Sequence, residues 1–235
     1  MSYGEVEVLP PLCFGGHMKK ITLIHTVESV YSSFKKEILK RVDYPVEITS
    51  LVDEFLVTNA QRKGYFPPEN KQKLYLDMLS AQAESPDVIV VTCSSLTPFV
   101  NEIRSFFDIP IVCIDERMCR DAAKEGDRIA VLATAPTTVE PTVSRIQSEA
   151  DRIGKKVEIK SLLDMEAMTL LKSGDVNGHD QRLAELSEHV KDYDVIVLAQ
   201  ASMATAEDAV KLVTGKIVKT SPGSAISELL EILEG

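Results

Sequence analysis

The chain has 235 residues, of which 44% are hydrophobic, so it can bury the core of one large domain or of two small ones. Its formal net charge of −10, with no Lys/Arg cluster interleaved with aromatic residues, argues against nucleic-acid or anionic-membrane partners. No apolar run approaches the roughly 20 residues that span a bilayer and no secretory signal pattern is present, so we expect a cytoplasmic protein.

Residues 1–17 lack any periodic pattern and end at a Gly-Gly-His-Met junction. We interpret this stretch as an N-terminal extension or a cloning leader that lies outside the fold. The cysteines are Cys13, Cys93, Cys113 and Cys119, and their number and spacing fit neither a disulfide framework nor a CxxC metal or redox pair. We therefore expect reduced thiols and no metal site.

Short apolar runs rich in Val and Ile predict strands that are buried on both faces, as in a parallel sheet. In chain order the runs are ITLIHT (21–26), VEITSLVD (46–53), DVIVVTCSSL (87–96), IPIVCID around Val112, IAVLAT (129–134), VEIKSLLD (157–164), DVIVLAQASM (194–203) and GKIVKTS around Val218. The last four runs repeat the first four in the same order, at offsets between 106 and 111 residues. This regular spacing indicates an internal duplication.

Amphipathic helical patterns separate the strands. Thr137 and Glu140 have the spacing of a capping box, and Gly126 and Gly215 are placed to end helices. Strand and helix alternate through both halves, which predicts an α/β fold of two pseudo-symmetric, doubly wound domains. Each domain should contain a mainly parallel sheet of about four strands. We assign residues 18–115 plus 222–235 to the first domain and residues 116–221 to the second, with a ligand cleft between them.

Open parallel sheets bind ligands beyond the carboxyl ends of their strands. In the first domain these positions hold His25, Thr26, Glu28, Cys93, Ser94, Ser95, Asp115 and Glu116. In the second they hold Thr134, Thr137, Thr138, Gln200, Ala201, Ser202 and Ser221. Hydroxyl groups dominate both sets, and Lys and Arg are absent. This composition favours a small carboxylate held by hydroxyls and by the free N–H groups of helix N-termini.

The strand-end loops resemble those of the aspartate/glutamate racemase superfamily, which includes hydantoin racemases, maleate isomerases and arylmalonate decarboxylases. Cys93-Ser94-Ser95 is similar to the first cysteine loop of that family, and Leu198-Ala199-Gln200 lies where the second cysteine loop is found. The segment 133–138, ATAPTT, is similar to the family's carboxylate-binding segment. The resemblance implies two α/β domains, acid/base chemistry without a cofactor such as pyridoxal phosphate, and a homodimer or higher homo-oligomer.

Gln200 departs from the racemase pattern, in which both loops carry a cysteine. A carboxamide neither accepts nor donates a proton at a usable pKa, so a two-thiol mechanism cannot operate unchanged. Three reactions remain open: racemisation or epimerisation with another second base, decarboxylation with one thiol, and cis–trans isomerisation of a diacid through thiol addition. The candidates for a second base are His25, Asp115, Glu116 and Cys113.

The resemblance and the residues together favour a racemase-like isomerase that transfers a proton at the carbon next to a carboxylate. The candidate catalytic residues are Cys93, Gln200 and His25, and the candidate substrate-binding residues are Ser94, Ser95, Thr134, Thr137, Thr138 and Ser202. Structural roles compete with these: His25 could be a core histidine, and Cys113 and Cys119 are expected to be buried. A non-catalytic carboxylate-binding protein is the alternative from another class, because two lobes around a cleft also serve as ligand receptors.

Overall fold

The computed structural model describes residues 18–235, apart from the side chains of Glu28, Ser29 and Ser32. The extension proposed for residues 1–17, with Cys13, lies outside the described residues. The first sheet consists of β1 (Lys19–His25), β2 (Val46–Val52), β3 (Val88–Val91) and β4 (Ile111–Cys113). The second consists of β5 (Arg128–Ala133), β6 (Glu158–Leu163), β7 (Val195–Leu198) and β8 (Ile217–Thr220).

The two sheets have the same topology. Their strand orders are β2-β1-β3-β4 and β6-β5-β7-β8, and every neighbouring pair is parallel. The central registers also correspond, because Ile24 pairs with Val91 in the first sheet and Leu132 pairs with Leu198 in the second. The predicted α/β fold of two doubly wound, four-stranded units is therefore confirmed.

The described residues form ten α-helices, of which the last follows β8. They are α1 (Glu28–Arg41), α2 (Phe55–Lys63), α3 (Pro68–Ala83), α4 (Thr97–Ile103), α5 (Glu116–Glu125), α6 (Pro136–Arg152), α7 (Met165–Lys172), α8 (Val176–Ser187), α9 (Glu207–Thr214) and α10 (Ser221–Glu234). Short 3-10 turns cover Ser94–Leu96, Arg104–Phe106, Glu188–Val190 and Ala201–Ala206. None of these helices has both the length and the apolar character that crossing a membrane requires.

One of the predicted helix ends differs from the structure. The expected capping box at Thr137 and Glu140 is wrong: α6 already begins at Pro136, and the Glu140 carboxylate accepts a hydrogen bond from the Ser144 hydroxyl. Proline favours the first helical turn because its missing N–H costs least there. Gly215 ends α9 in the left-handed region, as expected, with φ 66°.

Apolar residues cover both faces of each sheet. In the first sheet, one face packs against α1 and α10, and the opposite face packs against the helices α2 to α4. Helix α5 packs instead on the second sheet, where Met118 and Cys119 join its core. The chain therefore crosses to the second lobe before α5 and returns to the first with α10. The domain boundaries at 115/116 and 221/222 remain a prediction. They assign α5 to the second lobe and α10 to the first, in each case the lobe whose core the helix contacts.

Candidate active site between the lobes

The loops after β3 and β7 both contain an extended residue that precedes a 3-10 turn. Cys93 is extended, with φ −122° and ψ 111°, and caps the 3-10 turn Ser94–Leu96 that leads into α4. Gln200 is extended, with φ −123° and ψ 143°, and caps the turn Ala201–Ala206 that leads into α9. The thiol and the carboxamide thus occupy equivalent places in the two lobes, as the duplication predicted.

Both loops lie where the lobes meet. Ser94 lines a cavity of about 290 Å³ together with Pro141 and Arg145 of α6, a helix of the second lobe. Ala201, next to Gln200, packs against the core formed by α1, α10 and the first sheet. Ser202 lines a second cavity, of about 510 Å³, together with residues of α1. Each loop therefore faces a helix of the opposite lobe.

Cys93 differs from the other described cysteines in its exposure. Its side chain is partly exposed, whereas those of Cys113 and Cys119 are fully buried. Burial raises the pKa of both the Cys113 and the Cys119 thiol. Because a thiolate is the reactive form of cysteine, these two buried groups are unsuited to proton transfer with a ligand. Among residues 18–235, Cys93 is the thiol that a ligand can reach.

Gln200 is held by donors of its own lobe. Its Oε1 accepts hydrogen bonds from the Thr134 N–H at 2.7 Å, the Thr134 hydroxyl at 3.0 Å and the Ala135 N–H at 3.2 Å. The opposite amide orientation would set NH₂ hydrogens against two N–H donors, so the orientation of the side chain is determined. The predicted ligand-binding groups of Thr134 are therefore already engaged by Gln200.

The remaining hydroxyls of the predicted binding set differ in their contacts. The Thr138 hydroxyl donates to the Ala135 carbonyl at 2.8 Å, which closes the first turn of α6. Thr137, Ser95 and Ser202 are exposed, and Ser94 is half-buried. All of them lie at the carboxyl ends of the strands, as predicted, while their contact with a ligand remains a prediction.

His25 is buried on one face of the first sheet. Its Nδ1 lies 2.7 Å from the Thr92 hydroxyl, and its ring meets Tyr31 of α1 edge-on at 5.7 Å. The Thr92 hydroxyl donates to the Ile24 carbonyl at 3.2 Å, so Nδ1 carries the proton and donates to Thr92. Among the described residues, Nε2 has no hydrogen-bond partner. Burial lowers the pKa of His25 to about 4, which makes the imidazole neutral at pH 7.

The side chain of Cys93 points to the other face of this sheet. It packs against the core that covers the α2 to α4 side, whereas His25 contacts α1. Ile24 pairs with Val91, and successive side chains of a strand point to opposite faces. His25 is one residue beyond Ile24, whereas Cys93 is two residues beyond Val91. The side chains of His25 and Cys93 therefore point to opposite faces of the first sheet.

Asp115 and Glu116 form a charged cluster beside the Cys93 loop. Asp115 accepts a hydrogen bond from the Thr97 hydroxyl at 2.6 Å and lies 3.6 Å from Arg145 of the second lobe. Glu116 lies between Arg104 at 2.8 Å and Arg145 at 3.3 Å. Burial raises the pKa of Asp115, while the Thr97 and Arg145 contacts oppose the rise. The cluster fixes the start of α4.

Sequence reasoning missed Thr97 and Arg145, because neither belongs to a motif and both depend on contacts between distant segments. Their only sequence signal is weak: Thr97 follows the cysteine loop directly and Arg145 lies on the helix after Thr134. Within residues 18–235, no group of three or more His, Cys, Asp or Glu side chains is arranged to hold a metal ion.

These features define a class of protein: a duplicated, two-lobed α/β protein whose ligand loops follow the third strand of each lobe. A sequence profile of the Asp/Glu/Hydantoin racemase family matches residues 24–222, so the chain belongs to that family. Membership of this family supports the interpretation of the protein as a cofactor-independent, racemase-like isomerase. No curated protein sequence matches the chain significantly.

Solved structures of racemases share the fold. An aspartate racemase homologue from Pyrococcus horikoshii superposes with a TM-score of 0.70 at 14% identity, covering 93% of this chain and 100% of that one. A glutamate racemase from Bacillus anthracis has a TM-score of 0.66 at 17% identity, covering 92% and 82%. An allantoin racemase from Pseudomonas fluorescens has a TM-score of 0.60 at 16% identity, covering 92% and 91%.

Proposed function

We propose that the protein transfers a proton at the carbon next to the carboxylate of an amino acid or a related small acid, with Cys93 as the acid/base. The observation that carries this proposal is the position of Cys93: it is the partly exposed thiol at a strand end, directly before Ser94, which lines a cavity against α6 of the second lobe. The racemase family gives the chemical context. The substrate's carboxylate is held by hydroxyls and helix N-termini at the same edge of the sheets.

In the proposed reaction the Cys93 thiolate removes the α-proton, and the electron pair of the C–H bond moves into the adjacent carboxylate or carbonyl as an enolate. The Nε2 group of Gln200 donates to the enolate oxygen, and a donor of this kind typically contributes about 3 kcal/mol to a transition state. The Cys93 S–H then returns a proton to the carbon. Return to the same face gives exchange with retention, whereas racemisation requires an acid on the opposite face.

The other candidate bases are less available than the sequence suggested. His25 lies on the opposite face of the sheet, Cys113 is in the core, and Asp115 is bound by Thr97 and approached by Arg145. Glu116 is paired with two arginines. Racemisation therefore depends on a water molecule or a ligand group as the second acid, or on a movement of the lobes that brings one of these side chains to the ligand.

The presence of Gln200 in place of a second cysteine favours a second candidate function, which is decarboxylation with a single proton transfer. The bond between the α-carbon and a carboxylate breaks, CO₂ leaves, and the electron pair that stays on carbon takes the proton of the Cys93 S–H. Water then reprotonates the thiolate. The supporting observation is the carboxamide at the position equivalent to Cys93, since this reaction needs no second thiol.

Hydrogen exchange tests the proposal. The protein is incubated in D₂O with amino acids, hydantoins and 2-hydroxy acids, and loss of the α-proton is followed by NMR together with chiral analysis of the product. We expect exchange with at least one compound, its loss in Cys93→Ala and its survival in the matched Cys119→Ala variant. Equal activity in the two variants would exclude Cys93 as the acid/base.

The same assay separates the alternatives. Exchange with retention indicates one functional base, and racemisation indicates two. Release of CO₂ from malonate derivatives without α-proton exchange favours the decarboxylase. If no compound reacts and protein alkylated at Cys93 still binds a ligand, the protein is a carboxylate-binding protein and the enzymatic proposal fails.

A further inference from the structure

We infer that Gln200 determines substrate specificity by filling an anion-binding cradle of the second lobe with its own amide oxygen. The cradle consists of the Thr134 N–H, the Thr134 hydroxyl and the Ala135 N–H, and we call it the Thr134 cradle. The ligand that fits this arrangement is a monocarboxylate whose other end offers a neutral carbonyl oxygen to Nε2 of Gln200. This inference deepens the proposed function and rests on it.

The Thr134 cradle is built to receive an oxygen. Thr134 follows β5 and is buried, and Ala135 precedes the first turn of α6, where backbone N–H groups lack partners within the helix. These groups and the helix dipole attract an oxygen acceptor without any cationic side chain. The three donors converge on one atom, Oε1 of Gln200, at 2.7, 3.0 and 3.2 Å.

The amide oxygen is held in place by the backbone that carries it. Gln200 caps the 3-10 turn Ala201–Ala206, in which Met203 and Ala206 are fully buried. A carboxylate from solution would have to displace an acceptor that is already tethered at the cradle, and tethering gives that acceptor a high effective concentration. The second lobe therefore resists a second carboxylate.

The other end of the carboxamide sets what the second lobe can recognise. Among the described residues, Nε2 of Gln200 has no hydrogen-bond partner. This atom is not fully buried. With Oε1 fixed, Nε2 offers donors only, so it selects an oxygen acceptor and rejects an ammonium group. A neutral carbonyl meets this requirement without the cost of desolvating a second charge.

The first lobe differs at the equivalent place. The duplication aligns Thr26 and Val27 with Thr134 and Ala135, and Cys93 with Gln200. Within the part of the chain that the structure describes, the backbone N–H groups of Thr26 and Val27 have no hydrogen-bond acceptor. One carboxylate can therefore be held by the first lobe, beside the thiol, while the second lobe is filled by its own side chain.

Amide NMR tests this inference without requiring turnover. ¹⁵N-labelled protein with assigned Thr134 and Ala135 signals is titrated with succinate and, separately, with propionate. In the wild type we expect neither amide to shift saturably over the range in which Gln200→Ala responds. In Gln200→Ala the vacated cradle should bind succinate about tenfold more tightly than the wild type does, with saturable shifts at both amides.

Two further variants control the comparison. Gln200→Glu keeps an oxygen in the cradle but removes the Nε2 donor, so its Thr134 and Ala135 amides should stay as unresponsive as in the wild type. Gln147→Ala removes a half-buried glutamine of α6 that lies outside the Thr134 cradle and should behave like the wild type throughout.

Saturable shifts of both amides in the wild type at the concentrations that saturate Gln200→Ala would overturn the inference, as would no shift in Gln200→Ala. Because the titration detects binding at the cradle, it remains valid if no exchange activity is found. The failure of the proposed reaction and the failure of the specificity inference are therefore distinguishable.

Discussion

Replacing His25 with asparagine should reduce the loss of unfolding free energy that occurs when the pH is lowered. His25 is fully buried beside Thr92 and Tyr31, and its pKa is lowered from 6.5 to about 4. As the pH falls below 6.5, the unfolded chain binds a proton at this residue that the folded protein does not bind until about pH 4. Stability is therefore lost over that interval. From pH 7 to pH 5 the loss is about 2 kcal/mol, since one pKa unit corresponds to about 1.4 kcal/mol.

A carboxyl group of the same lobe acts in the opposite direction. Burial, followed by the neighbouring Asp53, raises the pKa of Asp77 to about 6, with Lys73 opposing the rise. An acid whose pKa is raised in the folded state stabilises the protein at low pH, and this contribution is lost as the pH rises through about 6. On acidification from pH 7 to pH 5, Asp77 therefore offsets part of the cost of His25. The pH dependence of wild-type stability therefore does not isolate the contribution of His25. That contribution is measured by comparing the wild type with a variant that lacks the histidine.

The assay is urea unfolding of the wild type and of His25→Asn at several values between pH 7 and pH 5. Asparagine retains an N–H donor for the Thr92 hydroxyl but does not titrate, and Asp77 is common to both proteins. We expect the wild type to lose about 2 kcal/mol more than the variant over this range, whatever the offset between them at pH 7. Equal losses would show that burial does not lower the pKa of His25 in the folded protein.

Three other changes follow from the same geometry. Iodoacetamide should label Cys93 in the native protein and Cys119 only after unfolding, as peptide mass spectrometry would show; equal labelling would contradict the burial of Cys119. Arg145→Met should cost about 2–3 kcal/mol in urea unfolding, because it leaves the buried Asp115 carboxylate without its cation; an unchanged midpoint would exclude that contribution. Gly215→Ala should cost about 1 kcal/mol at φ 66°, measured by thermal unfolding, and a stabilised variant would contradict the strain expected there.

The fold could be predicted from the sequence because its signals are local and occur twice. Runs such as the one at 87–96 have the length and the Val/Ile content of strands buried on both faces, and their counterparts recur at one spacing. The expected capping box at Thr137 failed because it competed with Pro136 for the start of α6, and proline at the first helical position prevailed.

The partners within the site could not be predicted, since they depend on register and on side-chain orientation. The sequence shows donors at Thr134 and an acceptor at Gln200, 66 residues apart, and it predicts that both groups face a ligand. Only the structure pairs them with each other. His25 and Cys93 are both at strand ends, but a shift of one residue in register moves a side chain to the other face of a sheet. The pairing of Ile24 with Val91 decides that they are separated.

The duplication makes the difference between the lobes informative. Cys93 and Gln200 are both extended residues that precede a 3-10 turn, so the chemical contrast between these two positions comes from their side chains. A thiol can lose and regain a proton, whereas an amide whose oxygen is bound by three donors can only offer its N–H groups. A reaction that used both lobes alike would require two exchangeable protons. If the proposed function holds, proton transfer belongs to the first lobe and orientation of the ligand to the second, and exchange with retention is the outcome this division favours.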